Sequence, residues 1–121
     1  MSAPTLLVVG IVGGFGALAR FALDGALSAR IASAFPFGTF AVNILGAFAL
    51  GILVGAAVSE GAMRIAATAG LGAFTTFSTW MFESQREAEE GRSGVAAANI
   101  AFSLAAGLLA VWLGRRLGTE L

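Results

Sequence analysis

The sequence predicts an all-α membrane protein of four transmembrane helices with a break in the third. Three observations carry that expectation. Hydrophobic residues make up 58% of the 121-residue chain and charged residues only 12%, with a mean hydropathy of +0.90, far outside the soluble range. The few charges divide the chain into four uncharged runs, Met1 to Ala19, Ile31 to Ser59, Ile65 to Phe82 and Ser93 to Gly114. Each is near or above the ~18 residues that mark a spanning helix. The third run holds Gly70-Leu71-Gly72-Ala73-Phe74-Thr75-Thr76-Phe77-Ser78-Thr79-Trp80, with two glycines, four hydroxyls and three aromatics in eleven positions.

One domain over residues 1–121 is expected, with helices over 4–23, 37–58, 63–90 and 94–115 and the third broken near 73–77. The connections are short and both termini fall on the same side. No basic segment precedes the first apolar run, so that run is expected to be retained as a span.

In helix 1, Gly10 and Gly14 form a GxxxG pair that lets a neighbouring backbone approach. Arg20 precedes the expected helix end at Leu23. It either snorkels to the interface beside Asp24 or lends positive potential to a vestibule. A connection around Ser28 to Pro36 leads into helix 2, where Thr39 and Asn43 lie four apart on one face. An intramembrane Asn is costly unless paired, so Asn43 marks a helix contact or a pathway. Gly51 and Gly55 give helix 2 a second GxxxG face.

The third run is the predicted working part. Gly70 and Gly72 loosen the backbone. Thr75, Thr76, Ser78 and Thr79 can hydrogen-bond backbone groups freed by a break. In lipid a break is tolerated only inside protein or along a watery path. The tract from Glu83 to Arg92 reads as a solvated helix end and loop. In helix 4, Asn99, Ser103 and Gly107 make a polar and small stripe suited to packing or to lining a path.

Seven arginines, seven acids, no lysine, no histidine and no cysteine exclude a disulfide framework, thiol chemistry and the commonest proton shuttle. No basic stripe points to nucleic acid. Arg64, Arg115 and Arg116 on one side face Arg20, Arg30, Arg86 and Arg92 on the other, so the charges set no orientation. Such a chain can insert both ways round and pair antiparallel, which suggests an inverted homodimer. Four short helices enclose little space, so a pathway needs a second subunit.

Gly13-Gly14-Phe15-Gly16-Ala17-Leu18-Ala19-Arg20, Gly38-Thr39-Phe40-Ala41-Val42-Asn43-Ile44-Leu45-Gly46 and Gly72-Ala73-Phe74-Thr75-Thr76-Phe77-Ser78-Thr79 resemble, in order and spacing, the Fluc fluoride channels, also called the CrcB family. The resemblance covers nearly the whole chain. It implies a multi-pass protein of the inner cell membrane, an antiparallel dual-topology homodimer with two fluoride pores, and a structural sodium ion at the dimer centre. Asn43 matches the pore asparagine, and Phe77 the first of two pore phenylalanines. Ser78 and Thr79 match the polar track, and Ser103 the helix 4 pore serine. Phe74 and Thr75 fall where backbone carbonyls hold the sodium, Glu83 matches an acidic vestibule residue, and Arg20 the basic residue closing helix 1. Trp80 stands where the second pore phenylalanine is expected, and Asn99 where some members have tyrosine.

The chemistry agrees with that resemblance. A small, strongly hydrated anion needs donors in place of water. Asn43 offers two N–H groups, and Thr39, Ser78, Thr79 and Ser103 offer hydroxyls. Phe77 can present its positive ring edge, and Trp80 an edge plus an indole N–H. No arginine sits mid-membrane to trap the ion. Carbonyls at an unwound segment suit sodium. A hydroxyl able to turn between the anion and Glu83 would help release fluoride to water. The rival is a small four-helix multidrug-type exporter, which needs a carboxylate deep in the membrane, whereas Asp24, Glu60 and Glu83 lie at expected helix ends. A purely structural packing protein explains the glycines but not the clustered hydroxyls and Asn43. No nucleophile–base pair supports an enzyme.

Overall fold

Backbone polar groups in lipid must be satisfied within the chain, and helices do this over long apolar runs. The computed structural model describes all residues from Met1 to Leu121. Its elements are α1 (Ala3–Arg30), α2 (Phe37–Gly55), α3 (Glu60–Met63), a π-helical stretch (Arg64–Leu71), α4 (Gly72–Phe74), α5 (Phe77–Glu89) and α6 (Ser93–Gly118). There are no strands. Three helices, α1, α2 and α6, are long and apolar enough to cross a membrane.

The third uncharged run folds differently. It is interrupted at Thr75 and Thr76, which are extended, with ψ of 161° and 120°. The 13-residue α5 reaches only about 20 Å at ~1.5 Å per residue, short of a ~30 Å hydrocarbon core. Its first turn is capped by the Thr76 hydroxyl, which accepts from the Thr79 N–H at 3.2 Å. Before the break, Arg64–Leu71 is π-helical, a form for which the sequence carries no signature.

Several helix ends differ from the sequence expectation. α1 continues past Leu23 to Arg30, so the expected connection from Ser28 shrinks to the residues after Ile31. Hydropathy marks where lipid ends, whereas Arg20, Asp24 and Ser28 break no helical hydrogen bond. α2 stops at Gly55 rather than at residue 58, because Ala57 turns the chain at a φ of +53°. α3 begins at Glu60, where the Ser59 hydroxyl accepts from the Ala62 N–H at 3.2 Å. α6 outlasts its apolar run and ends at Gly118, past the arginine pair. The turn from α5 to α6 passes through Gly91 at a φ of +82°. There Arg92 pairs with Glu87 and Glu90, and its hydrogen bond holds the Glu87 carboxyl below the usual carboxylate range.

The best-packed pair is α2 against α6, and glycine makes it possible. A Cβ built on Gly51 would overlap the Val111 carbonyl oxygen, and one on Gly55 the Arg115 oxygen. In return, a Cβ on Gly114 would overlap the Phe48 oxygen, and one on Gly118 the Ile52 oxygen. Two GxxxG motifs therefore face each other across the helix pair. The motif in α6 escaped the sequence reading because the expected helix ended at Arg115. α1 approaches the π-helical stretch at Gly16, where a Cβ would strike the Gly70 carbonyl oxygen. The expected contact face at Gly10 and Gly14 is not used within the chain, since neither has a neighbour within 4 Å of its Cβ position.

Gly114→Ala should therefore destabilise the chain by about 2 kcal/mol or more, through overlap with a backbone oxygen that cannot move aside. Gly14→Ala should stay within ~0.5 kcal/mol of the parent. The midpoints of sodium dodecyl sulfate-driven unfolding compare the two, and equal shifts would contradict the facing motifs.

Candidate functional site

The break is held by one side chain. Asn43, half-buried on α2, accepts from the Thr76 N–H through Oδ1 at 2.8 Å and donates through Nδ2 to the Thr76 carbonyl at 2.9 Å. The carboxamide thus completes both polar groups of a residue that left the helix. The Thr75 hydroxyl donates back to the Leu71 carbonyl at 3.0 Å, and the Thr75 N–H bonds to the same oxygen at 2.9 Å. Gly46, buried on α2, makes room, since a Cβ there would run into the Thr75 methyl group. The Thr75 carbonyl accepts no hydrogen bond from the chain.

Two open grooves flank this clamp. The larger, about 390 Å³, is lined by Asn43, Leu50, Ala67, Gly72, Phe77 and Trp80 among others. The second, about 230 Å³, is lined by Asn43, Ala47, Trp80, Ser103, Gly107 and Val111 with neighbouring apolar residues. Asn43, Ala47 and Trp80 belong to both, so they form the wall between them. Phe77 is 71% exposed and stands edge-on to Trp80, with ring centroids 5.7 Å apart and planes at 79°. No charged residue lines either groove.

The remaining polar candidates lie elsewhere. Thr39 and Thr79 line a small cavity of about 20 Å³ with Arg20, Asp24, Val42 and Thr76. The Arg20 Nε atom is buried there without a hydrogen-bond partner. Asp24 lies beside Arg20 in this lining but accepts from the Ser28 hydroxyl at 3.2 Å and forms no ion pair with Arg20. The buried Thr39 hydroxyl donates to Glu83 Oε1 at 2.5 Å. Glu83 also lines a polar cavity of about 250 Å³ at the bundle end, with Arg86, Glu87, Ser28 and the residues that follow α1. Ser78 is exposed and lines none of these spaces.

Three donor expectations change, one of them at Ser103, whose single hydroxyl proton is donated to the Asn99 side-chain oxygen at 3.3 Å. The Trp80 indole N–H does not face a groove; it donates to the Asn99 carbonyl at 3.2 Å. One of the two Asn43 N–H groups is taken by Thr76, which leaves one for a ligand. Sequence reasoning also missed Ser84, which is buried and donates to the Trp80 carbonyl at 2.9 Å. A polar tract around it hid the signal, since Ser84 reads there as one more solvated residue.

The CrcB-like protein, Camphor Resistance (CrcB), family model matches residues 7–115. The chain belongs to the CrcB family. Among its relatives is the fluoride-specific ion channel FluC 2 of Mycolicibacterium paratuberculosis, 47% identical over 109 residues, covering 90% of this chain and 89% of the relative. The FluC 2 protein of Mycobacterium tuberculosis is 45% identical over 95% of this chain and 96% of its own length. The fluoride-specific ion channel FluC of Geotalea uraniireducens is 41% identical over 91% and 93% respectively. With its apolar helices, this CrcB-family chain is an integral membrane protein.

Asn43→Leu removes both clamp bonds while keeping the same branched skeleton of heavy atoms. It should cost about 2–4 kcal/mol of stability by leaving two peptide groups unpaired. Amide exchange at Thr76 should accelerate markedly, while exchange on the facing turns of α6 stays slow. Unchanged protection at Thr76 would mean that the clamp does not hold the break.

Proposed function

We propose that this CrcB-family chain is a fluoride-selective channel that exports fluoride passively through the inner cell membrane. It works as an antiparallel dual-topology homodimer with two pores. The observation that carries the reading is the Asn43–Phe77–Trp80–Ser103 lining, held at a helix break in a chain whose relatives are named fluoride-specific channels. Both grooves lie open along a side, and the exposed Phe77 ring stands at the mouth of one of them. A second copy would close them. The two half-length pieces around Thr75 and Thr76 together provide the fourth crossing.

Conduction follows from the lining. The free Asn43 N–H replaces part of the water around the anion, and the Ser103 hydroxyl joins it by turning from the Asn99 side-chain oxygen to the ion. Phe77 offers its positive ring edge, and the absence of a cation in the grooves lets the ion leave. Near the bundle end, the Thr39 hydroxyl can turn from Glu83 to the ion and back, handing fluoride toward the polar cavity. Arg20, behind Thr39 and Thr79, raises the local potential for an anion. Ser78 reaches the path only from its exposed face, as part of the assembled dimer.

The carbonyls of Phe74 and Thr75 suit a sodium ion. They are hard oxygens at an unwound segment, and the Thr75 oxygen has no donor within the chain. With their counterparts from a second copy they would hold a structural sodium, whose charge supports anion entry on both flanks. Neither groove holds a carboxylate, which disfavours a proton-coupled exporter of the small multidrug type.

The purified protein in liposomes should release fluoride rapidly while retaining chloride, as read by ion-selective electrodes. Asn43→Asp, which replaces a donor with a negative charge, should reduce fluoride release by on the order of a hundredfold or more. Parent protein that is folded and dimeric yet releases no fluoride would sink this reading.

A further inference from the structure

Trp80 is the wall shared by the two grooves, and its position is set from outside them. Its indole N–H donates to the Asn99 carbonyl at 3.2 Å. Its own main-chain carbonyl accepts from the Ser84 hydroxyl at 2.9 Å, and the Ser84 oxygen accepts from Asn99 Nδ2 at 2.8 Å. The Asn99 side-chain oxygen is taken by the Ser103 hydroxyl at 3.3 Å. Asn99 is fully buried and lines neither groove; its main-chain carbonyl takes the Trp80 ring N–H, and its side chain reaches the Trp80 backbone through Ser84 and so holds that carbonyl in place.

Packing alone does not require this arrangement. A buried carboxamide is expensive unless its groups are bonded, and here both side-chain ends and the main-chain carbonyl are engaged by residues around the groove wall. An indole beside an open groove would otherwise have room to swing on its two side-chain torsions, and that swing would change the width of both grooves at once. The network removes that freedom, and it turns the Ser103 hydroxyl at the edge of the second groove toward Asn99.

We propose that Asn99 is a positioning residue for Trp80: it fixes the indole that separates the two grooves, and thereby sets how readily an ion passes, without touching the ion. This rests on the reading of the grooves as a fluoride path. The fixation itself is a statement about the indole and can be tested apart from conduction.

Trp112→Phe leaves Trp80 as the sole tryptophan, because the chain has two. In that background Asn99→Ala should shift Trp80 emission to the red and lower its anisotropy. Ser84→Ala, which deletes one hydroxyl and spares Asn99, should move both in the same direction and covers the case in which Asn99→Ala fails to fold. In liposomes Asn99→Ala should change the fluoride release rate by on the order of tenfold, the scale of one buried hydrogen bond. In a Trp80→Phe background, where no ring N–H bonds the residue 99 main-chain carbonyl that the side-chain network aims, the same substitution should change it less than about threefold. Unaltered emission and anisotropy in both variants would overturn the proposal. So would an equal change in rate in the two backgrounds. Absence of fluoride release from the parent would overturn the channel reading instead, and the optical signals would still decide whether Asn99 holds the ring.

Discussion

Everything near the site depends on a two-bond clamp between one carboxamide and one peptide unit. A helix broken in an apolar setting leaves N–H and C=O groups with no water to satisfy them, a cost of about 1–3 kcal/mol for each unpaired group. Asn43 meets both groups of Thr76 from the neighbouring helix. The flanking threonines complete the arrangement, Thr75 by bonding back to Leu71 and Thr76 by capping α5. The same atoms that stabilise the break aim the one remaining Asn43 N–H. On the proposed channel reading, stability and function are therefore tied to a single side chain.

The clamp works because α2 is itself firmly placed. Facing glycines bring α2 and α6 to backbone contact over two turns, which anchors the end of α2 remote from Asn43. Closer to the site, the buried Val42, Thr39 and Gly46 seat α2 beside the break. The polar network of Trp80, Ser84, Asn99 and Ser103 then ties α5 to α6. Small residues thus set distances at one end of the bundle, and hydrogen bonds set orientations at the other.

Much of this was legible in the sequence. Charge spacing showed the apolar runs, and the glycines and hydroxyls between Gly70 and Thr79 drew attention to a weak helix. Asn43 was visible as a polar residue in an apolar helix, although its partner was not, because the contact spans 33 residues of chain. The glycine pairs show the limit most plainly. Gly10/Gly14 and Gly51/Gly55 have the same spacing, yet the first faces open space and the second faces a backbone. Spacing shows that a helix can be approached and not which neighbour does so. The turn at Ala57 was hidden because alanine carries none of the glycine or asparagine signal of a left-handed residue. Trp80 was read as a donor to the path since its acceptor, a main-chain carbonyl on α6, has no side-chain signature at all.

The clamp also bears on how such a chain is made. A segment leaving the insertion machinery with an open break would carry bare peptide groups into lipid and would have to be shielded until a partner arrived. Here the Thr76 peptide groups are answered from within the same polypeptide, by a helix that is synthesised earlier. A newly inserted chain can therefore keep its kink from the moment α2 and the break meet, with no help from outside the polypeptide.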